Sequence, residues 1–103
     1  MLMLIVLTTV PNNGLGESLA EAIVKSRLAA CVQILPQILS IYAWEGNVVK
    51  DQEHLLLIKT LPEKWEELRD FITANHSYET PEIVAIDAAT VAEPYRKWLG
   101  AAL

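Results

Sequence analysis

Three side chains of this 103-residue sequence have the chemistry of soft-metal ligands: Cys31, His54 and His76. A deprotonated thiolate suits Cu(I) or Zn(II), and imidazole suits copper and zinc. Cys31 begins a run of β-formers, where a free cysteine can equally be a small buried apolar residue. His76 follows a helical pattern at the start of a polar loop, where it can meet solvent or interact with the helix end. His54 precedes an apolar run and is the weakest of the three, which leaves Cys31 and His76 as the candidate ligands, each with its structural alternative open.

The ligand inventory limits the kind of metal site that one chain can build. One cysteine and two histidines cannot complete a sulfur- and nitrogen-rich tetrahedral site without carboxylates. We therefore expect no obligatory cofactor. A metal site for copper or another divalent ion would be adventitious, labile or regulatory. A metal site with ligands from two subunits remains an alternative.

A second group of side chains combines aromatic rings, carboxylates and one lysine. In an assembly with two-sided strands these residues would line a cleft between subunits, and Lys59 would supply charge for a small anion. The alternative is structural, with Tyr42 and Trp44 packing an interface and Lys59 paired with a carboxylate such as that of Glu82. The members of this predicted cleft are Tyr42, Trp44, Glu53, Lys59, Tyr78 and Glu82.

Catalytic motifs are missing from the sequence. It contains no G-x-S-x-G, no P-loop, no glycine-rich dinucleotide loop and no H-E-x-x-H. We therefore do not expect an enzyme. A phosphatase-like activity on acyl phosphates would follow only from analogy of fold, which is not evidence of activity.

The stretch from Cys31 to Thr60 must position most of these side chains, and it predicts a long β-hairpin. Its arms are rich in β-branched and aromatic residues and flank the turn Glu45-Gly46-Asn47, where glycine and asparagine tolerate positive φ. Pro36 cannot donate to a strand ladder, so we expect a bulge that divides the first arm into pieces near Cys31–Leu35 and Gln37–Trp44. Apolar residues occur on both faces of the arms, so both faces are expected to be buried against other parts of the protein or against another subunit.

The remaining segments complete one α+β domain over residues 1–103, in the order β-α-β-β-α-β with a further helix at the end. This order is typical of the ferredoxin-like arrangement, an antiparallel sheet with two helices on one face. Threonine and glutamate three residues apart predict capping boxes before the second and third helices. The predicted elements around the hairpin are a strand at Met1–Val10, a helix at Leu15–Ala30, a helix after Thr60-Leu61-Pro62-Glu63 that ends near Asn75, a strand at Glu82–Ala88 and a helix after Thr90-Val91-Ala92-Glu93.

Composition and charge narrow the possible partners. The hydrophobic share of 52% is high for so small a domain and indicates self-association through apolar surface. A net charge of −5 without a basic cluster argues against nucleic-acid binding. No apolar run is long enough to span a bilayer, and the opening residues lack the features of a secretory signal. A single cysteine needs no oxidising compartment, so we expect a cytoplasmic protein.

Six blocks in order along the chain resemble the CutA divalent-cation tolerance family. They are Thr8-Thr9-x-Pro11, Arg27-Leu28-Ala29-Ala30-Cys31-Val32, Ser40-Ile41-Tyr42-x-Trp44-x-Gly46, Glu53-x-x-Leu56-x-Ile58-Lys59-Thr60, His76-x-Tyr78-Glu79-x-Pro81-Glu82-Ile83 and Tyr95-x-x-Trp98-Leu99.

This resemblance implies a ferredoxin-like subunit in a homotrimer, similar in architecture to the PII signalling proteins. It also implies a cytoplasmic role in tolerance of copper and other divalent metals, with Cys31 and His76 at the positions associated with metal binding. The alternative function is a PII-like signalling module that binds a small anion or a partner protein between subunits. The sequence departs from the family where Ser77 replaces a proline after the histidine, and where Thr8-Thr9 lacks a second cysteine.

Overall fold

The computed structural model describes residues 3–103, in which four strands and three helices follow one another in the predicted order. A 3₁₀ turn at Pro62–Lys64 leads into the second helix. The elements are β1 (Leu4–Pro11), α1 (Leu15–Lys25), β2 (Cys31–Trp44), β3 (Asn47–Thr60), α2 (Trp65–Asn75), β4 (Val84–Asp87) and α3 (Glu93–Ala102).

The four strands form one antiparallel sheet in the order β2-β3-β1-β4, which confirms the ferredoxin-like topology. Even-numbered residues of β1 and β3 face α1 and α2, because side chains alternate along a strand. Val6, Leu56 and Ile58 on this face are fully buried and pack against apolar helix residues such as Ile23 and Leu68. The core therefore lies between one face of the sheet and the first two helices.

The central hairpin is as long as the sequence predicted, with 14 residues in each arm. Trp44 pairs with Asn47, so the turn consists of Glu45 and Gly46 alone, and both have positive φ. The register shifts between Leu35 and Ile38, which confirms a bulge at Pro36 and shows one continuous strand in place of two pieces. After this bulge the even-numbered residues of β2, among them Tyr42, lie on the helix-free face.

Several predicted boundaries were wrong. Helix α1 ends at Lys25 and not near Ala30, because Arg27 takes a left-handed conformation with φ of 57°. Strand β4 is shorter than the predicted 82–88. Met1 and Leu2, at the start of the first predicted strand, lie outside the described residues.

Neither predicted capping box forms. The N-cap residues of α2 and α3 are Lys64 and Ala92, without a side-chain cap in either case. The hydroxyl of Thr60 instead donates to the carbonyl of Leu28 at 2.7 Å, deep in the structure. A residue whose side chain is required by the core is not free to cap a helix.

The outer part of the hairpin extends beyond the rest of the chain. Within residues 3–103, the segment 47–52 of β3 pairs only with β2, and the molecule measures 44 Å along its longest axis. Apolar side chains on both faces of this outer part are exposed, with Trp44 at 51% and Val48 at 76%. The others are Leu39, Ile41 and Tyr42.

Candidate functional site

A cleft of about 800 Å³ lies where the hairpin leaves the body of the sheet. Three parts of the chain form it: the end of β1, the facing arms of the hairpin, and the loop between α2 and β4. Its lining is Thr9, Ser40, Ile41, Tyr42, Ala43, Trp44, Asp51, Glu53, Ser77, Tyr78, Glu79, Thr80 and Glu82. Five of the six residues predicted for a cleft are therefore neighbours within one chain, and Lys59 is not among them.

Glu53 is the most enclosed carboxylate of the cleft, with only 6% of its surface exposed. It stands opposite Pro11 on one side and Ile38 on the other, at the last position where β3 pairs with both neighbouring strands. The hydroxyl of Tyr78 donates to Glu53 Oε2 at 2.7 Å. This bond holds the α2–β4 loop over the helix-free face of the sheet.

Two tyrosine hydroxyls in the cleft donate to carboxylates. Tyr42 donates to Asp51, and Tyr78 donates to Glu53. Desolvation, followed by the bond to Glu53, raises the pKa of Tyr78 well above its usual value, and the bond to Asp51 is the main cause of a raised pKa at Tyr42. Because both hydroxyl protons are donated to these carboxylates, the two tyrosine oxygens can only accept further hydrogen bonds in the cleft.

His76 lies beside the cleft, at the end of α2, and both of its ring nitrogens have partners. Nε2 is 2.8 Å from the carbonyl oxygen of Thr9, and Nδ1 accepts the backbone N–H of Tyr78 at 3.0 Å. Its ring also lies against that of Tyr78, with centroids 4.7 Å apart. His76 therefore orders the α2–β4 loop, and a metal ion could bind it only in place of one of these hydrogen bonds.

Cys31 lies far from His76. It pairs with Lys59 at one end of β3, whereas Thr9, the partner of His76, pairs with Leu55. Strand geometry puts Cys31 and Thr9 about 13 Å apart along the sheet and about 10 Å across it, roughly 16 Å in all. Two ligands of one zinc-like ion lie within about 4.6 Å of each other. Cys31 and His76 therefore cannot hold the same ion within one chain.

Other acidic and histidine side chains do not complete a site around either ligand. Residues 3–103 contain no group of three or more His, Cys, Asp or Glu side chains arranged to hold a metal ion. His54, the third candidate, is partly exposed on β3 beside Val10. The donor set of a single chain therefore does not fit a resident metal centre.

Lys59 lies on the same face of β3 as Glu53 but six residues away, about 20 Å along the strand. Its ammonium group bonds to the side-chain oxygen of Gln33. The cleft of one chain is instead lined by four carboxylates, with no Lys, Arg or His lining it among the described residues. Lys59 therefore does not line the cleft of one chain, and its place in a cleft between subunits stays a prediction.

Sequence reasoning missed Asp51, Glu79 and Thr9 as cleft residues. Asp51 could have been found from the turn, because a two-residue turn at Glu45-Gly46 sets Asp51 opposite Ser40 and diagonal to Tyr42. Thr9 carried no comparable signal, since its position depends on how the α2–β4 loop folds over β1.

No helix among residues 3–103 combines the length and the apolar character needed to cross a membrane.

The sheet, its two helices on one face and the projecting hairpin define a ferredoxin-like α+β protein with a cleft at the base of the hairpin. Its sequence identifies the family. The sequence model described as "CutA1 divalent ion tolerance protein" matches residues 4–102. The chain belongs to the CutA1 divalent ion tolerance family.

Individual relatives agree with this assignment. The divalent-cation tolerance protein CutA of Thermus thermophilus is 46% identical over 95 residues, which are 92% of this chain and 92% of that protein. The chloroplastic protein CutA of Arabidopsis thaliana is 45% identical over 96 residues, which are 93% of this chain but 53% of that protein. The chain thus spans about half the length of the plant relative.

A solved structure confirms the fold. The crystal structure of CutA1 from Oryza sativa superposes with a TM-score of 0.94 at 41% identity, and the match covers 97% of this chain and 92% of that chain.

Proposed function

We propose that this protein acts in tolerance of divalent metals as a homotrimer that binds copper-like ions weakly, in the cytoplasm and without catalysing a reaction. The observation that carries the proposal is the projecting hairpin, whose apolar side chains are exposed on both faces in one chain. Exposed apolar surface of this extent favours burial against further copies. Family membership supports the role in metal tolerance, and three is the number of copies that the family resemblance implies.

Cys31 is the better supported of the two predicted metal ligands. It is partly exposed and free of disulfide bonds, and it is close enough to Tyr95 to contribute to the raised pKa of that phenol, of which desolvation is the larger cause. One thiolate cannot complete a coordination shell alone. The remaining ligands would come from another copy or from solvent, which accounts for weak binding.

The assembly is tested by light scattering coupled to size exclusion in dilute neutral buffer. The wild type is expected at three times the mass of one chain. Trp44→Glu is expected to shift the protein to smaller species, because it puts a charge into the buried interface. Val24→Asp is a matched control, since Val24 is an exposed apolar residue on α1, near Val32 at the base of the hairpin and not in its outer part. A folded wild-type monomer would refute the assembly.

The metal role is tested by titrating Cu(I), under a chelator that buffers it, into the wild type, Cys31→Ser and His76→Ala. The expected result is loss of most of the affinity in Cys31→Ser. His76→Ala should keep the affinity, because its imidazole is occupied by hydrogen bonds. Equal affinity in all three proteins would remove both residues from the metal site.

Family membership does not fix the cytoplasmic location, since the Arabidopsis relative is named chloroplastic. This location is supported by the single cysteine, which leaves no internal disulfide to form. Cell fractionation with an antibody against the native protein tests it, and recovery with the secreted fraction would contradict it.

A further inference from the structure

The loop between β1 and α1 contains a pair of residues whose chemistry neither metal tolerance nor self-association uses. The sequence has four asparagines, and only Asn13 is followed by a glycine, Gly14. In such a pair the backbone nitrogen of the glycine can attack the side-chain carbonyl carbon of the asparagine. Glycine has no Cβ to shield that nitrogen or to restrict the rotation that the attack requires. How the fold presents the pair then determines whether the reaction proceeds.

The structure leaves this pair accessible to water. Asn13 and Gly14 are both exposed, and they lie between the last residue of β1 and the first residue of α1. No atom lies within 4 Å of the position that a Cβ on Gly14 would take, so the glycine faces open space. Neither residue belongs to a strand ladder or a helix that would hold its backbone rigid. The amide of Asn13 can therefore react and release ammonia into solvent.

The side chain of Asn13 is folded back along the chain toward the start of α1. Its Oδ1 accepts the backbone N–H of Leu15 at 3.2 Å. This bond arches the side-chain carbonyl over the Gly14 peptide, because the acceptor and the donor belong to the residues on either side of it. The bond also draws electron density from Cγ of Asn13. Both effects favour attack on that carbon by the neighbouring nitrogen.

The other three asparagines lack this combination and serve as internal controls. Asn47 lies within β3 and precedes Val48, whose β-branched side chain crowds its own backbone nitrogen. Asn75 is the last residue of α2, and its amide donates to the carbonyl of Phe71 at 2.8 Å. Asn12 is in the same exposed loop but precedes a residue that has a side chain. Asn12 thus separates the effect of loop exposure from that of the following glycine.

We propose that Asn13 is a site of spontaneous deamidation in the folded protein, and that the reaction changes how α1 begins. The Gly14 nitrogen gives up its proton and bonds to Asn13 Cγ, while the side-chain nitrogen takes up a proton and leaves as ammonia. Water then opens the resulting succinimide ring at either carbonyl. One opening gives aspartate, and the other gives isoaspartate, in which the backbone runs through Cβ and Cγ. Water is the only co-reactant.

The two products should affect α1 differently. Aspartate keeps an acceptor for the Leu15 N–H and adds a negative charge at the positive end of the helix dipole, which is stabilising. Isoaspartate lengthens the backbone before Gly14 by one carbon and displaces that acceptor. The first turn of α1 has little room to adjust, because the Cβ position of Gly16 is only 2.9 Å from Val10 Cγ2. Isoaspartate should therefore weaken the packing of this turn on the sheet.

The test is incubation of the purified protein at mildly alkaline pH, followed by peptide mass spectrometry. Deamidation replaces an amide NH₂ by OH and raises the mass by about 1 Da. The expected result is modification of Asn13 at least tenfold faster than that of any other asparagine. Isoaspartate is detected by methylation with an isoaspartyl methyltransferase and S-adenosylmethionine. In protein unfolded by urea, Asn13 should react at a rate within severalfold of the native rate.

Asn13→Gln is expected to abolish the fast reaction, because glutamine would have to close a larger ring. Asn12→Gln is the matched control and should leave the reaction at Asn13 unchanged. Asn13→Asp reproduces the aspartate product and should have a melting temperature at or above that of the wild type by circular dichroism. The isoaspartate form, separated from the aspartate form by chromatography, should melt lower than both.

Three results would overturn the proposal. One is a reaction at Asn13 that is no faster than that at Asn12 in the native protein. Another is a native rate more than tenfold below the rate in urea, which would mean that the fold holds Asn13 away from the Gly14 nitrogen. The third is an unchanged melting temperature of the isoaspartate form, which would refute the effect on α1.

Discussion

His76 Nε2 lies 2.8 Å from the carbonyl oxygen of Thr9, and this contact joins two residues that are 67 positions apart in the chain. The same ring accepts the N–H of Tyr78 through Nδ1. With one nitrogen donating and the other accepting, the imidazole fixes the start of the α2–β4 loop against β1. Tyr78 is thereby brought to Glu53, and the cleft depends on a histidine that does not line it.

Replacing His76 by alanine should therefore destabilise the protein. Two partly buried hydrogen bonds are lost and the Thr9 carbonyl is left without its donor, at a cost of about 1–3 kcal/mol in the free energy of unfolding. Urea unfolding monitored by circular dichroism measures it. Ser77→Ala, a neighbouring exposed position in the same loop, should leave the midpoint unchanged. Equal midpoints for His76→Ala and the wild type would show that the two bonds are not stabilising.

Tyr78→Phe should also lower stability at neutral pH. The substitution keeps the ring but removes the donor to Glu53 Oε2, so the carboxylate of a residue that is only 6% exposed loses its hydrogen bond. Bonds to charged groups contribute about 1.5–3 kcal/mol. In the Glu53→Gln background the loss should be smaller, since the acceptor is then uncharged. A double-mutant cycle in urea measures this coupling, and a coupling of zero would exclude the bond as a source of stability.

Raising the pH above about 10 should reduce the stability that Tyr78 contributes to the folded protein. The pKa of Tyr78 is raised in the folded protein, first by desolvation and then by its bond to Glu53, relative to an ordinary value of 10.0. The unfolded chain therefore loses this proton first as the pH rises, so the stabilisation is complete below about pH 10 and declines above it. Wild type should lose more stability between pH 9 and about pH 11 than Tyr78→Phe. Equal losses in the two proteins would contradict the raised pKa.

The fold could be predicted largely from local patterns, and the site only in part. The hairpin and its bulge follow from three local signals: the alternation of apolar residues, the Glu45-Gly46 turn and Pro36. Each signal affects only the residues next to it, so it can be recognised in the sequence. Lys59 lies outside the cleft of one chain, about 20 Å along β3 from Glu53. Its predicted place in a cleft between subunits depends on the assembly, which the sequence of one chain does not define.

The roles of His76 and Thr60 show a second limit of the sequence. A histidine in a polar loop suggested a ligand, and a threonine three residues before a glutamate suggested a helix cap. In the structure both side chains bond to backbone carbonyls that are distant in sequence, those of Thr9 and Leu28. Such partners depend on tertiary packing, which a single sequence without register information cannot supply.

Two buried threonines, Thr8 in β1 and Thr60 in β3, lie in neighbouring strands. Replacing each of them by valine should change the free energy of unfolding in opposite directions. Thr60 Oγ1 donates to the Leu28 carbonyl, so Thr60→Val should lower the free energy of unfolding by about 1–3 kcal/mol. Thr8 Oγ1 is buried and has no hydrogen-bond partner in the described chain. Thr8→Val is nearly isosteric and removes an unsatisfied hydroxyl, so it should raise stability by about 1 kcal/mol. Chemical denaturation of both variants tests the pair, and a loss of stability in Thr8→Val would indicate that its hydroxyl has a partner.

Gly16 permits a close approach of α1 to the sheet, and its replacement by alanine should be destabilising. An added Cβ would lie 2.9 Å from Val10 Cγ2 and 3.3 Å from Leu56 Cδ1, both in fully buried side chains that cannot move into solvent. Overpacking of this kind costs about 1–3 kcal/mol, which outweighs the gain of about 1 kcal/mol in helix propensity. Gly100→Ala is the matched control, because nothing lies within 4 Å of its added Cβ and it is also in a helix. Thermal unfolding should therefore give a lower midpoint for Gly16→Ala and an unchanged or higher one for Gly100→Ala. If both variants gained stability, α1 could not be packed as closely on β1 and β3 as described.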